Sequence, residues 1–136
     1  MWLAHPFRHV FDPVNYRRDG RQQPHLSPEE AARLPVFALV DDLEVANGGC
    51  TAQENEFALQ VARILGKRGI GASDAHSTHG LGCFTTVFER ALSDERGLIA
   101  ELHAGRYYPA EGLLRGGVVS FGGSVLDIDA SFSPRD

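Results

Sequence analysis

Ser73-Asp74-Ala75-His76 follows directly on the short apolar stretch Gly69-Ile70-Gly71-Ala72. This places a carboxylate and an imidazole, with one residue between them, at the end of a strand. Groups so placed can both face a divalent metal, because a strand end is a rigid anchor and the loop after it opens to solvent. His5, in Ala4-His5-Pro6-Phe7-Arg8, again ends a short apolar run. Imidazole and carboxylate donors suit Zn, Mn or Fe, and an open coordination position would activate water for attack on phosphorus. Taken singly, His5 also reads as a partly buried histidine before a proline turn, and Asp74 as a turn or N-cap residue. Taken together, His5, Asp74 and His76 favour one metal site at one face of a sheet or barrel, with Asp74 and His76 closest to the chemistry.

Arg8 is placed to contact a phosphate, since its planar fork matches phosphate oxygens, though a solvated loop arginine would have the same sequence. Glu44 and Asn47 read as residues that shape a strand end by hydrogen bonding, with Asn47 a candidate substrate contact. His79 could face the same cleft, but a surface position suits it better. His9, His25 and His103 have no partner pattern. Gly48-Gly49 supplies turn geometry rather than a phosphate cradle, because no Lys or Ser/Thr follows at P-loop spacing.

The elements that must position these groups alternate. Trp2-Leu3-Ala4 reads as the end of a strand, and residues 9–26 as a long polar loop. Ser27-Pro28-Glu29-Glu30 opens a short helix with Ser as N-cap and Pro at the first position, stopped by Pro35. Phe37 to Val45 reads as a strand. Thr51-Ala52-Gln53-Glu54 is a second capping box, opening a helix with Phe57, Ala58, Val61, Ala62, Ile64 and Leu65 on one face. The strand ending at Ser73 comes next, then a strand from Cys83 to Phe88. Ser93-Asp94-Glu95 caps a third helix bearing Leu98, Ile99 and Leu102 and ended by Gly105, and Arg106 to Ala110 forms a last strand. From Gly116 the composition turns to Gly, Ser, Val and Asp, so residues 1–115 are expected to form the domain and 116–136 a weakly ordered tail. Strand–helix alternation favours a parallel sheet or part of a barrel.

The chain has 136 residues, a formal net charge of −5 and 43% hydrophobic residues. That suits one modest domain and argues against a general nucleic-acid-binding surface. Cys50 and Cys83 stand far apart in no metal-like spacing and read as reduced thiols of a cytoplasmic protein. No apolar run approaches the ~20 residues that span a bilayer, and the first ten residues, with His5, Arg8 and His9, do not form a signal peptide. A strand this close to Met1 is expected to belong to a larger domain.

The pattern as a whole resembles the second half of a PHP domain, the polymerase and histidinol phosphatase superfamily of metal-dependent phosphoesterases. The matching residues are Ala4-His5-Pro6-Phe7-Arg8, Glu44-Val45-Ala46-Asn47-Gly48, Asn55 and Ala58, Ala72-Ser73-Asp74-Ala75-His76, and Leu81-Gly82 with Thr85. The resemblance implies an α/β fold, a distorted β/α barrel present here only in part, with its N-terminal strands and helices missing. It implies up to three divalent ions at the strand ends, with His5, Asp74 and His76 among their ligands. The substrate would be a small phosphomonoester or a nucleotide-like phosphodiester. Such domains open with an Asp-x-His-x-His-type motif and supply a bridging Glu, and neither stands before His5. The three retained ligands tend to serve different ions in that family, so activity would need a missing N-terminal segment. The alternatives are a non-catalytic remnant that pairs with such a segment or with itself, and an amidohydrolase-like hydrolase attacking carbon.

Overall fold

The computed structural model describes residues 1–14 and 26–123. Most of the polar loop expected over residues 9–26, His25 included, lies outside the described residues. Three strands form a parallel sheet in the order β1 (Trp2–Leu3), β2 (Asp42–Asn47) and β3 (Ile70–Ala72). Three more form an antiparallel sheet, β4 (Phe84–Phe88), β5 (Tyr107–Glu111) and β6 (Val119–Ser120). Among the described residues these two small sheets do not close into a barrel; the architecture is mixed α/β.

The helices begin where side-chain oxygens can take up the first free N–H groups. Helix α1 (Pro28–Ala32) carries the Ser27 and Glu30 capping box, and α2 (Ala52–Ile64) that of Thr51 and Glu54. In α3 (Glu95–Ala104), the Asp94 carboxylate accepts from Gly97 N at 2.7 Å, and Gly105 closes the helix in the left-handed conformation. Reciprocal caps of this kind satisfy donors that would otherwise be orphaned. The buried face of α2 is Phe57, Ala58, Leu59, Val61 and Ala62; Leu59 replaces Ile64, which is 48% exposed. Helix α2 packs on β2, and α1 packs on α2.

The strand expected from Phe37 is displaced. Pro35–Ala38 forms a 3-10 turn and the strand starts only at Asp42. Pro35 sits at the first position of that turn, where its fixed φ is favourable. Asp42, whose charge looked like an interruption, is a buried anchor. It accepts from Leu43 N at 2.8 Å, from Gly69 N at 3.0 and 3.1 Å, and from the Tyr107 hydroxyl. A buried carboxylate is tolerable only when its lone pairs are met in this way.

The core comprises Phe7, Ala31, Phe37, Val40, Leu43, Val45 and the buried face of α2, with Phe121 packed against it. The two sheets meet at Gly71, where Thr86 Oγ1 accepts from Gly71 N at 3.1 Å and donates to its carbonyl at 2.8 Å. A Cβ at Gly71 would lie 2.3 Å from the Thr85 carbonyl oxygen, so only glycine allows this approach. Past Gly116, β6 pairs with β5, and the Arg63 guanidinium donates to the Gly122 carbonyl at 2.7 Å. Residues 124–136 lie outside the described residues. Among the described residues no helix is long and apolar enough to cross a membrane.

Candidate functional site

Because β1, β2 and β3 run parallel, their C-terminal ends share one edge of the sheet. The turn 5–9 after β1, the Gly48-Gly49-Cys50 turn after β2 and the Ser73–His76 segment after β3 are brought together there. Crevices at the carboxyl ends of parallel strands are where open α/β sheets bind ligands.

The turn after β1 is held from three sides. Phe7 is buried in the core, edge-on to Phe57 with ring centroids 4.8 Å apart and tilted on Phe37 at 5.9 Å. The backbone N–H of His5 donates to Glu44 Oε2 of β2 at 2.8 Å, and that of His9 donates to Glu54 Oε1 of α2 at 2.5 Å. Both residues are left-handed, with φ of 28° for His5 and 63° for His9. Non-glycine side chains occupy that region at a cost, so the carboxylates and Phe7 must over-determine the turn.

Arg8 projects out of this turn to the end of β3. Its Nη1 donates to Asp74 Oδ2 at 2.9 Å, with the Arg8 side chain 31% exposed and that of Asp74 20%. Asp74 is itself left-handed, at φ 46°. Arg8 Nε is buried without an acceptor. Gly49 lies beneath the pair. A Cβ there would fall 2.4 Å from Asp74 Oδ2 and 3.0 Å from Arg8 Nη2.

Asn47 is 2% exposed and both ends of its amide are engaged. Nδ2 donates to Glu44 Oε2 at 2.8 Å and Oδ1 accepts from Gly49 N at 2.8 Å. Its backbone is matched by Asn55, which accepts from Asn47 N and donates to Asn47 O, each at 3.0 Å. In this arrangement Asn47 shapes the turn after β2, with one hydrogen bond at each end of its amide. The Ser73 hydroxyl donates to the Phe84 carbonyl at 3.1 Å and accepts from Gly82 N at 2.7 Å, tying the end of β3 to β4.

The candidate metal donors do not form a cluster. His5 is half-buried and follows β1. His76 is exposed, and its Nδ1 lies 2.9 Å from the Asp74 carbonyl oxygen. The one candidate carboxylate, Asp74, is paired with Arg8. Among the described residues no group of three or more His, Cys, Asp or Glu could hold a metal ion. As folded, these residues do not fit a catalytic metal. His79 is exposed, and so is His103, which stacks edge-on to Trp2 at the other end of β1. Cys50 sits among Glu54, Arg8, Asp74 and Glu44; its thiol is pushed up to about 11, first by burial and then by the charge of Glu54. A thiol so shifted is a poor nucleophile.

Two residues that organise the site were legible in the sequence only as local features. Glu54 reads as a capping-box residue, yet one of its oxygens caps Thr51 N at 2.8 Å while the other holds His9 N. Gly49 reads as a turn residue, yet it also makes room for the Arg8–Asp74 pair. The signal for Glu54 is chemical: a carboxylate has two oxygens, and a capping box uses one.

No curated protein and no solved structure matches this chain. A family model does, over a stretch that opens with α2 and ends at the first residue of β5, including Asp74 and His76 but not His5 or Arg8. Residues 52–107 match the family described as PHP-associated, in keeping with the C-terminal region of a PHP-domain protein.

Proposed function

We propose that this chain carries part of the active site of a PHP-type phosphoesterase, acting on a phosphomonoester or a nucleotide-like phosphodiester. The observation that carries the reading is where the backbone is strained. Among the described residues, the non-glycine residues with positive φ are His5, His9 and Asp74, all at the C-terminal ends of β1 and β3. Strain of this kind clusters at functional sites, because the surroundings must hold it in place. The PHP-associated match over residues 52–107 supports the same family. Arg8 supports phosphate as the ligand, since it brings an always-charged planar fork to a strand-end crevice.

The metal chemistry of the family needs donors beyond the described set. A catalytic zinc takes three protein ligands, and His5, Asp74 and His76 do not converge into such a group. On this reading a segment bearing the Asp-x-His-x-His motif supplies the remaining donors and completes the barrel. What this chain's own residues do is hold the strand ends: Glu44 and Glu54 fix the turn 5–9, and Arg8 and Asp74 face each other across the crevice. The second reading, a non-catalytic remnant, is favoured by the engagement of Asp74 with Arg8.

The test is hydrolysis of a panel of phosphoesters by the 136-residue chain, alone and joined to an N-terminal PHP segment. Little hydrolysis is expected from the chain alone and clear hydrolysis from the joined protein. That activity should be lost in Asp74→Ala and kept in His103→Ala. A joined, folded, metal-loaded protein that hydrolyses none of them would overturn the phosphoesterase reading in favour of the remnant.

A further inference from the structure

The end of the parallel sheet opposite the strand-end crevice holds a second cleft, of about 300 Å3. It opens between the starts of β1 and β2, the Lys67-Arg68 segment that leads into β3, and the C-terminal end of α3. Trp2 lines it, edge-on to His103 with ring centroids 5.7 Å apart.

The polar groups of this cleft differ in what they already meet. The Asp42 carboxylate accepts from Leu43 N, Gly69 N and the Tyr107 hydroxyl, and Asp41 is paired with the Met1 ammonium. The two helix ends that reach the cleft are closed by backbone bonds: Lys67 N donates to Ala62 O at 2.9 Å, and Arg106 N to Glu101 O at 3.1 Å. Lys67 Nζ donates to the Val40 and Asp41 carbonyls at 2.8 and 3.0 Å. Those acceptors are neutral, so the charge of Lys67 stays in place, and its ammonium has a further N–H to give. Arg68 is the exception. It is half-buried, and among the described residues it has no hydrogen-bond or ion-pair partner. It is nevertheless seated: a Cβ at Gly105 would lie 2.8 Å from Arg68 Nε, so the guanidinium rests directly against that glycine. A guanidinium drawn partly out of water costs free energy until its N–H groups find acceptors.

We propose that this cleft is an anion-binding site, in which the Arg68 fork takes two oxygens of a small phosphate or carboxylate and Lys67 adds a second positive charge. The fork fits either group, since both present paired oxygens to parallel N–H donors. An anion on the fork is at contact distance from one full positive charge. The charge of Asp41 is offset by Met1, and that of Asp42 is shared among its own donors, so the net interaction is attractive. The volume sets the size of the ligand. At about 300 Å3 the cleft is at the lower limit of ligand pockets, which suits one small molecule and not a chain segment or a polynucleotide. It lies at the other end of the strands from Arg8 and Asp74, so the inference is independent of the phosphoesterase reading.

Trp2 is the only tryptophan in the chain, so its emission reports this cleft and not the crevice at the other end. The experiment titrates the full 136-residue protein with inorganic phosphate and, separately, with succinate. Sodium chloride at matched ionic strength is the control. A saturable change in Trp2 emission is expected with at least one of the two anions and not with chloride, and the anion that responds assigns the oxygen group. Arg68→Gln, first checked for a folded circular-dichroism spectrum, should weaken that binding by about tenfold or more, as expected when charge-assisted hydrogen bonds are removed. The absence of a saturable response to either anion overturns the proposal, as does a response that chloride matches or one that Arg68→Gln leaves unchanged. If Arg68→Gln does not fold, the Arg68 Nε–H resonance of the parent decides: it should shift along the same saturation curve, and a resonance that stays in place overturns the site.

Discussion

Replacing Glu54 tests whether a helix cap also holds the site. Glu54 is 6% exposed, and its carboxylate accepts two backbone N–H groups, Thr51 N at 2.8 Å and His9 N at 2.5 Å. Hydrogen bonds to a charged acceptor contribute about 1.5–3 kcal/mol each, and loss of the acceptor leaves the donors to be desolvated unpaired. Glu54→Ala should therefore cost ~3–5 kcal/mol, a large share of the ~5–15 kcal/mol that holds a domain together. For a chain of 136 residues each kcal/mol moves Tm by about 3–5 °C, so a fall of roughly 10–20 °C is expected. Glu54→Gln keeps one acceptor oxygen and should lose about half as much. Urea unfolding and calorimetry measure the stability, and amide hydrogen exchange locates it. In Glu54→Gln the Thr51 cap is the local bond, so the His9 amide should lose its protection first. A loss below about 1 kcal/mol in Glu54→Ala, or unchanged protection of His9 in both variants, would refute the two-oxygen role.

Gly49→Ala puts a methyl carbon 2.4 Å from Asp74 Oδ2 and 3.0 Å from Arg8 Nη2; it should separate the pair and cost about 1–3 kcal/mol, with a shifted Arg8 Nε–H resonance as the marker. Cys50, with its thiol pushed up to about 11 by burial and then by the Glu54 charge, should react with an alkylating reagent at pH 8 far more slowly in the folded than in the unfolded chain. Burial, and then donation to Asp42, raise the Tyr107 hydroxyl above the ordinary tyrosine value. Because the folded protein keeps that proton while the unfolded chain loses it near pH 10, stability should fall as pH rises past about 10, by up to ~1.4 kcal/mol per unit. Tyr107→Phe should remove that slope while costing about 1–3 kcal/mol at neutral pH, both read by urea unfolding; an unchanged slope would exclude Tyr107 as its source.

Local chemistry in the sequence determined the helices. Ser27 with Glu30, Thr51 with Glu54, and Asp94 with Gly105 mark where α1, α2 and α3 begin and where α3 ends, because capping groups act within one turn of chain. Strand ends bearing His5 and Asp74 were legible for the same reason: short apolar runs followed by polar residues. Partners distant in sequence were not legible. Asp42 looked like a break in a strand because its partners Gly69 and Tyr107 lie 27 and 65 positions away. That Glu44 and Glu54 hold His5 and His9, 39 and 45 positions earlier, is decided only when α2 packs on β2 beside β1. The sequence offered Asp74 as a metal ligand from its type and place, and only the tertiary structure decided that Arg8, 66 positions before it, reaches the carboxylate. Hydrogen bonds to a backbone N–H leave no mark on the donor residue's identity, so a site held by them takes form only once the chain has folded.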